Sequence, residues 1–128
     1  MIRKASIADA KRIQNLIHLW ADKGKMLDRS LNYVYENIRD FWVCEEKRRI
    51  IGCCALHVVG WESLSEIKSL AVDPKHHGKG IAVSLVSSCL EEAKRLGLEN
   101  VFALTFVASF FKKIGFKKIS RSKLPHKI

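Results

Sequence analysis

A chain of 128 residues, 48% apolar and 28% charged, can bury one compact core, is too short for two, and has a balance that excludes a disordered segment. Twenty-three Lys and Arg against thirteen Asp and Glu leave a formal charge of +10, which favours an anionic partner: a phosphorylated cofactor, a small carboxylate or a nucleic acid. No stretch approaches the roughly 20 apolar residues that span a bilayer and no N-terminal run reads as a signal sequence, so no membrane insertion and a cytoplasmic location are expected.

From the N-terminus, residues 2–5 read as a short strand. Ser6 with Asp9 three positions on makes a capping-box-like helix start, with a carboxylate where Glu or Gln is usual. Ile13, Leu16, Ile17 and Trp20 then recur at helical spacing until Asp22-Lys23-Gly24-Lys25 ends the segment. Asp28-Arg29-Ser30 supplies a loop and a second N-cap for a shorter helix carrying Leu31, Val34, Tyr35 and Ile38. At residue 41 the texture turns to beta: residues 41–44, a charged turn at 45–49 and residues 50–59 predict an antiparallel hairpin. Residues 60–63 turn into a further strand, 64–72. The longest helix follows, with Ile81, Leu85, Cys89, Ala93 and Leu96 as its apolar stripe, Glu91, Glu92, Lys94 and Arg95 facing water and Gly97 as its stop. Residues 101–106 read as a strand, 109–114 as a short helix closed by Gly115, and 116–119 as a last strand. The order predicts one α/β domain over residues 1–128, a mixed sheet with helices packed on it. Its parallel pairing falls where the long helix joins strand 64–72 to strand 101–106.

Cys44, Cys53, Cys54 and Cys89 form no CxxC pair, and adjacent Cys53 and Cys54 point to opposite faces of a strand, so all four are expected as reduced thiols. His76-His77 sits on a turn with no carboxylate or cysteine at ligand spacing, and no metal is expected.

The most informative stretch runs from Glu66 to Ala82: Glu-Ile-Lys-Ser-Leu-Ala-Val-Asp-Pro-Lys-His-His-Gly-Lys-Gly-Ile-Ala. It is a strand that passes through a proline-marked turn into a glycine-rich helix start. Glycines at 78 and 80 clear side chains from where a phosphate must approach, and the helix beyond offers unpaired N–H groups and the positive end of its dipole. The segment His77-Gly78-Lys79-Gly80-Ile81-Ala82 resembles the phosphate motif of the GNAT N-acetyltransferase superfamily: Gln or Arg, two residues, Gly, one residue, then Gly or Ala. His77 departs from it at the first position. Arg29-Ser30, Gly52-Cys53-Cys54-Ala55-Leu56-His57, Glu66-Ile67-Lys68-Ser69-Leu70-Ala71-Val72, Leu104-Thr105, and Phe110-Phe111 before Gly115-Phe116 are similar to single-domain relatives of bacterial N-acetylglutamate synthase. The resemblance covers nearly the whole chain.

It implies the GNAT fold: a mostly antiparallel sheet with a parallel central pair splayed at the acetyl-CoA site, and helices on both faces. It implies acetyl-CoA as co-substrate and transfer of acetyl to the amino group of a small acceptor such as L-glutamate, the entry step of arginine biosynthesis. By resemblance, the backbone of Leu70, Ala71 and Val72 pairs with the pantetheine arm, His77, Gly78, Lys79, Gly80, Ile81 and Ala82 take the pyrophosphate, and Phe111 belongs to the cofactor site. Glu66 holds the position of the family's general base, acting directly or through water; its structural alternative is a strand carboxylate paired with Lys68 on the same face. A tyrosine often serves this superfamily as general acid near the position of Phe111. Without it the leaving thiolate takes its proton from water, the ammonium product or another group.

For the acceptor, the guanidinium fork of Arg29 suits a carboxylate in bidentate geometry, with Lys68 and Ser69 as secondary candidates. The related synthases hold the amino acid partly through a loop Arg-Ser pair, here Arg29-Ser30; the structural alternative is an exposed arginine beside a helix cap. His57 is a candidate for lining the same pocket or relaying a proton. Two competing readings stand: an acetyltransferase for a protein, aminoglycoside-like or polyamine acceptor, and a nucleic-acid-binding module that senses CoA. A cationic acceptor favours an acidic pocket, and no stripe of aromatics interleaved with basic residues is present for nucleic acid. The family sheet commonly has one strand more after residues 116–119. A shortened chain, a sheet completed across a homodimer and an incomplete acceptor lid are the open alternatives.

Overall fold

Strand β3 (Arg49–Gly60) organises the molecule: it pairs on one side with β2 (Phe41–Glu46) and on the other with β4 (Leu64–Val72), antiparallel to both. With β1 (Ile2–Lys4) added outside β2 and β5 (Asn100–Phe102) outside β4, the order is β1-β2-β3-β4-β5. The structure, a computed structural model, describes residues 1–60, 63–104 and 108–117. Among the described residues only β4 and β5 run parallel, and the helix α3 (Ile81–Arg95) makes the crossover between them, as a parallel pair requires.

The pleat of the central strands sorts their side chains into two cores. On one face α1 (Ala10–Asp22) and α2 (Leu31–Glu36) bury Ile13, Leu16, Ile17 and Val34 against Phe41, Val43, Cys53 and Ala55. On the other, Leu85, Val86 and Cys89 of α3 and Phe111 of α4 (Ala108–Lys113) pack on Cys54, Leu56 and Ile67. Cys53 and Cys54 thus enter opposite layers, and all four cysteines are free and buried.

Two interruptions of the ladder position the site. In β3 the register passes from Ile50 opposite Glu45 to Gly52 opposite Cys44, which leaves Ile51 as the extra residue. A Cβ on Gly52 would lie 3.1 Å from both Ile81 Cγ2 and Leu85 Cδ1, so its missing side chain lets the first turns of α3 sit down on the sheet. In β4 the register moves from Ala71 opposite Cys53 to Lys68 opposite Ala55. Ser69 and Leu70 together face Cys54, and Ser69 is left-handed at φ 57.

The sequence-based elements hold with several differences: Ile38 lies beyond α2, in a separate 3-10 turn, and Glu92 is part-buried against Lys4 and Trp42 where the sequence predicts it to face water. β5 is shorter than the 101–106 strand: Ala103 and Leu104 have left the sheet, and Thr105 and Phe106 lie outside the described residues. Of the strand read at 116–119, Phe116 and Lys117 are not in a strand and the rest lies outside the described residues; Phe116 instead meets Phe111 edge-on at 5.1 Å. Leu96 is 60% exposed and does not belong to the α3 stripe, because the helix ends at Arg95 and Gly97 turns the chain so that Leu98 is buried in its place.

Candidate active site

β4 ends in a turn that the chain ties down on both sides. Asp73 accepts from the Lys75 amide at 3.0 Å, which caps the 3-10 turn Pro74–His76. From α1, Arg12 reaches Asp73 Oδ2 at 2.9 Å and the Ile50 carbonyl at 2.8 Å. The Lys75 amide, with Arg12 beside it, holds the Asp73 carboxyl below the usual carboxylate range. Beyond the turn, Gly78 (φ 81) and Gly80 (φ 74) are both left-handed, a conformation that costs a side-chain-bearing residue about 1–2 kcal/mol. Gly80 is the N-cap of α3 and brings no side-chain acceptor, so the first amides of that helix are available to an anion.

Beside this turn lies a cavity of about 530 Å³ whose walls come from both layers: Trp20 and Met26 from one side of the sheet, Ile81 and Phe110 from the other, with residues 70–72 between them. It exists because β5 leaves β4 after the pair Glu66–Phe102, while β4 runs on to Val72. Backbone groups of β4 beyond that point can serve an extended ligand arm. Leu70, Ala71, Val72, His77, Gly78, Gly80, Ile81 and Ala82 all line the cavity. Lys79 does not line it; its ammonium lies 3.2 Å from His76 Nδ1. Phe111 is buried in the core at 6% exposure, and it is the neighbouring Phe110 that reaches the cavity. Sequence reasoning missed Trp20, Lys25 and Met26. Trp20 stacks flat on His77, ring centroids 5.2 Å apart, and donates its indole N–H to the Val72 carbonyl at 2.8 Å. Its period in α1 marked it only as a core residue, although it closes that stripe and is partly exposed.

A second constellation occupies the α1/α2 side of the same sheet. Glu66, at 4% exposure, stands opposite His57 in the β3–β4 ladder. His57 Nδ1 lies 2.7 Å from Asp40 Oδ2. Two positions after Glu66, Lys68 sets its ammonium 5.5 Å from the Tyr33 ring, over which the Arg29 guanidinium also lies at 4.7 Å. The Arg29 Nε–H is buried and has no hydrogen-bond partner among the described residues. A buried, unpartnered donor on a cation is costly in isolation and is what a carboxylate ligand satisfies. Ser30 uses its hydroxyl to accept the Tyr33 amide at 3.0 Å as the cap of α2, and so fixes the loop that carries Arg29.

Between the two constellations lies the β4 interruption. The Cys53 thiol donates to the Ser69 carbonyl at 3.4 Å and the Cys54 thiol to the Lys68 carbonyl at 3.9 Å. Burial pushes the Cys53 thiol up to about 12, and a hydrogen bond with Cys89, reinforced by burial, raises Cys54 as well. Both sulfurs therefore stay protonated and act as weak donors to the displaced strand.

Residues 37–118 match the family described as an acetyltransferase (GNAT) domain. The chain belongs to the GNAT acetyltransferase family. Over 127 residues this GNAT domain is 39% identical to an uncharacterized N-acetyltransferase of Chlorobaculum tepidum, a match covering 99% of this chain and 81% of that protein. It is 38% identical over 122 residues to the amino-acid acetyltransferase of Mycobacterium tuberculosis, with 93% of this chain and 69% of that one covered. Among solved structures it resembles N-acetylglutamate synthase from Neisseria gonorrhoeae complexed with coenzyme A and N-acetyl-glutamate. There the TM-score is 0.94 at 30% identity, over 98% of this chain and 30% of the synthase chain. The protein is thus an N-acetyltransferase whose co-substrate is acetyl-CoA, and the glycine turn, the β4 backbone beyond its last pair with β5 and the α3 amides are of the kind that suits that molecule's pyrophosphate and pantetheine arm. Among the described residues, no helix is long and apolar enough to cross a membrane and no cluster of three metal-ligating side chains forms.

Proposed function

We propose that this GNAT enzyme acetylates the α-amino group of an amino acid, L-glutamate first among them, as the entry step of arginine biosynthesis in the cytoplasm. The observation that carries the reading is the Arg29 Nε–H, buried without a partner among the described residues and over the Tyr33 ring that Lys68 also meets, which suits an anionic acceptor and disfavours a cationic amine. The amino-acid acetyltransferase of Mycobacterium tuberculosis and the gonococcal synthase support the same acceptor class. In this reading the β4 backbone at residues 70–72 holds the pantetheine arm and residues 77–82 the pyrophosphate. The carboxylate of the acceptor meets Arg29 and Lys68. Glu66, on the same sheet face, takes a proton from its ammonium group, directly or through water, and frees the lone pair that attacks the thioester.

Release of free CoA from acetyl-CoA, followed with a panel of amino acids and amines, tests this. Glutamate is expected to lead the panel. Arg29→Ala should raise its KM about tenfold to a hundredfold, the weight of a hydrogen-bonded charge pair. Glu66→Gln should lower kcat by about 10²-fold or more, as removal of a general base does, and move the remaining activity to higher pH. Turnover of polyamines in preference to glutamate, with Arg29→Ala unchanged, would overturn the acceptor assignment.

A further inference from the structure

Glu66 is only 4% exposed, so a proton taken from an acceptor has no direct route from its carboxyl to bulk water. Its cross-strand neighbour is His57, and directly paired residues on adjacent antiparallel strands share a face with Cβ atoms about 4.5–5.5 Å apart. On the far side of His57, Asp40 Oδ2 lies 2.7 Å from Nδ1, and the two side chains keep 38% and 26% of their surface accessible. A carboxylate only accepts hydrogen bonds, so Nδ1 carries a hydrogen, and in the neutral ring the lone pair is then on Nε2. A buried carboxyl thus stands across the ladder from an imidazole that itself reaches solvent and is held through Nδ1 by a half-buried carboxylate.

We infer that Asp40 and His57 form the proton exit from Glu66, an inference that rests on the reading of Glu66 as general base. The acceptor's N–H bond breaks as a Glu66 carboxylate oxygen takes the proton and leaves the lone pair on nitrogen. The Glu66 O–H bond then breaks as Nε2 of His57 takes that proton, across one water where needed. The imidazolium, steadied through Nδ1 by Asp40, releases the Nε2 proton to solvent, and Glu66 is again a carboxylate. Asp40 is a positioning residue: it selects the His57 tautomer and compensates the passing charge. Glu66 faces His57 across the ladder, and Lys68, two positions beyond Glu66 on the same strand face, carries the Tyr33 ring with the Arg29 guanidinium over it.

The test is steady-state kinetics across pH for Glu66→Gln, His57→Ala and Asp40→Asn, with and without added imidazole, beside nitrogen NMR of the His57 ring. His57→Ala is expected to lower kcat about tenfold, at the weak end of general acid–base effects, with both KM values unchanged and free imidazole restoring the rate. His57→Gln, whose amide can still donate to Asp40 but cannot take up and pass on a proton, should behave alike if the alanine variant folds poorly. Asp40→Asn should shift the ring from the Nδ1–H tautomer and displace the pH profile. If Glu66→Gln loses activity while the His57 variants keep the wild-type rate and profile, or lose rate that imidazole does not restore, the relay is wrong and the base stands. If Glu66→Gln turns over like wild type, the reading beneath the relay fails first.

Discussion

Single residues of this protein carry disproportionate weight where the sheet departs from regular pairing. Gly52 is the clearest. Nothing in its local sequence demands glycine, and its conformation is an ordinary strand one; the demand comes from Ile81 and Leu85, each 3.1 Å from where a Cβ would stand. Both are buried and branched, so Gly52→Ala must push α3 outward and should cost about 1–2 kcal/mol in urea unfolding, the scale of modest overpacking, with the slope unchanged. The same displacement would move the N-terminus of α3, so the KM for acetyl-CoA should rise in parallel. Asp9 answers to pH instead. The Arg3 guanidinium, 2.8 Å away, holds its carboxyl below the usual range, and Asp9 also accepts the Ser6 amide at 2.8 Å. A carboxylate with a depressed folded pKa adds stability that is complete above its unfolded value, near 3.9, and disappears as pH falls through the lower folded value. Asp9→Asn should lower stability at neutral pH by about 1–3 kcal/mol, the cost of a charged hydrogen-bond partner lost, and flatten the acid limb of the stability curve.

At the level of elements, periodicity was a sound guide wherever burial alone decides structure. The stripe of α1, the hairpin of β2 and β3 and the crossover helix could all be read from spacing, because each of these segments buries one face and shows water or a second layer the other. The glycine turn was legible too, since left-handed backbone leaves a mark in residue type at Gly78 and Gly80. The β4 interruption was not, because Ser69 holds φ 57 without being glycine and is kept there by its surroundings, the Cys53 thiol among them. The candidate site divides in the same way. Its cradle residues are adjacent in sequence and could be named together. Trp20, Met26 and Phe110 reach the cavity only through packing of separate helices, and Tyr33 gathers Arg29 and Lys68 through ring contacts that no spacing encodes. Substituting Cys53 by Ala removes one of those supports and leaves the Ser69 carbonyl without its thiol donor. A loss of about 1–3 kcal/mol in stability is expected, the range for truncating a buried group and orphaning its acceptor, and crystallography of the variant would show whether β4 closes up.

For the whole molecule, charge and architecture act together. A formal +10 spread over one small domain raises the local concentration of a polyanion such as acetyl-CoA near the surface, an effect confined to about 10 Å at 0.1 M salt. Raising ionic strength from 0.05 to 0.5 M (roughly a threefold shorter screening length) should therefore increase the KM for acetyl-CoA several-fold and leave kcat nearly unchanged. An equal change in both would point to unfolding instead of lost attraction. The architecture places an indole at the mouth of the cavity: Trp20 is bonded to Val72, stacked on His77 and capped by the Lys23 ammonium at 4.9 Å. Trp42 is elsewhere, bonded to Glu92 of α3. With acetyl-CoA assigned to this cavity as proposed, Trp20 is an optical gauge of donor occupancy. Emission excited in the indole band should change and saturate as acetyl-CoA is added, and a Trp20→Phe variant should lose most of that signal. Donor affinity could then be followed without label, coupling enzyme or turnover.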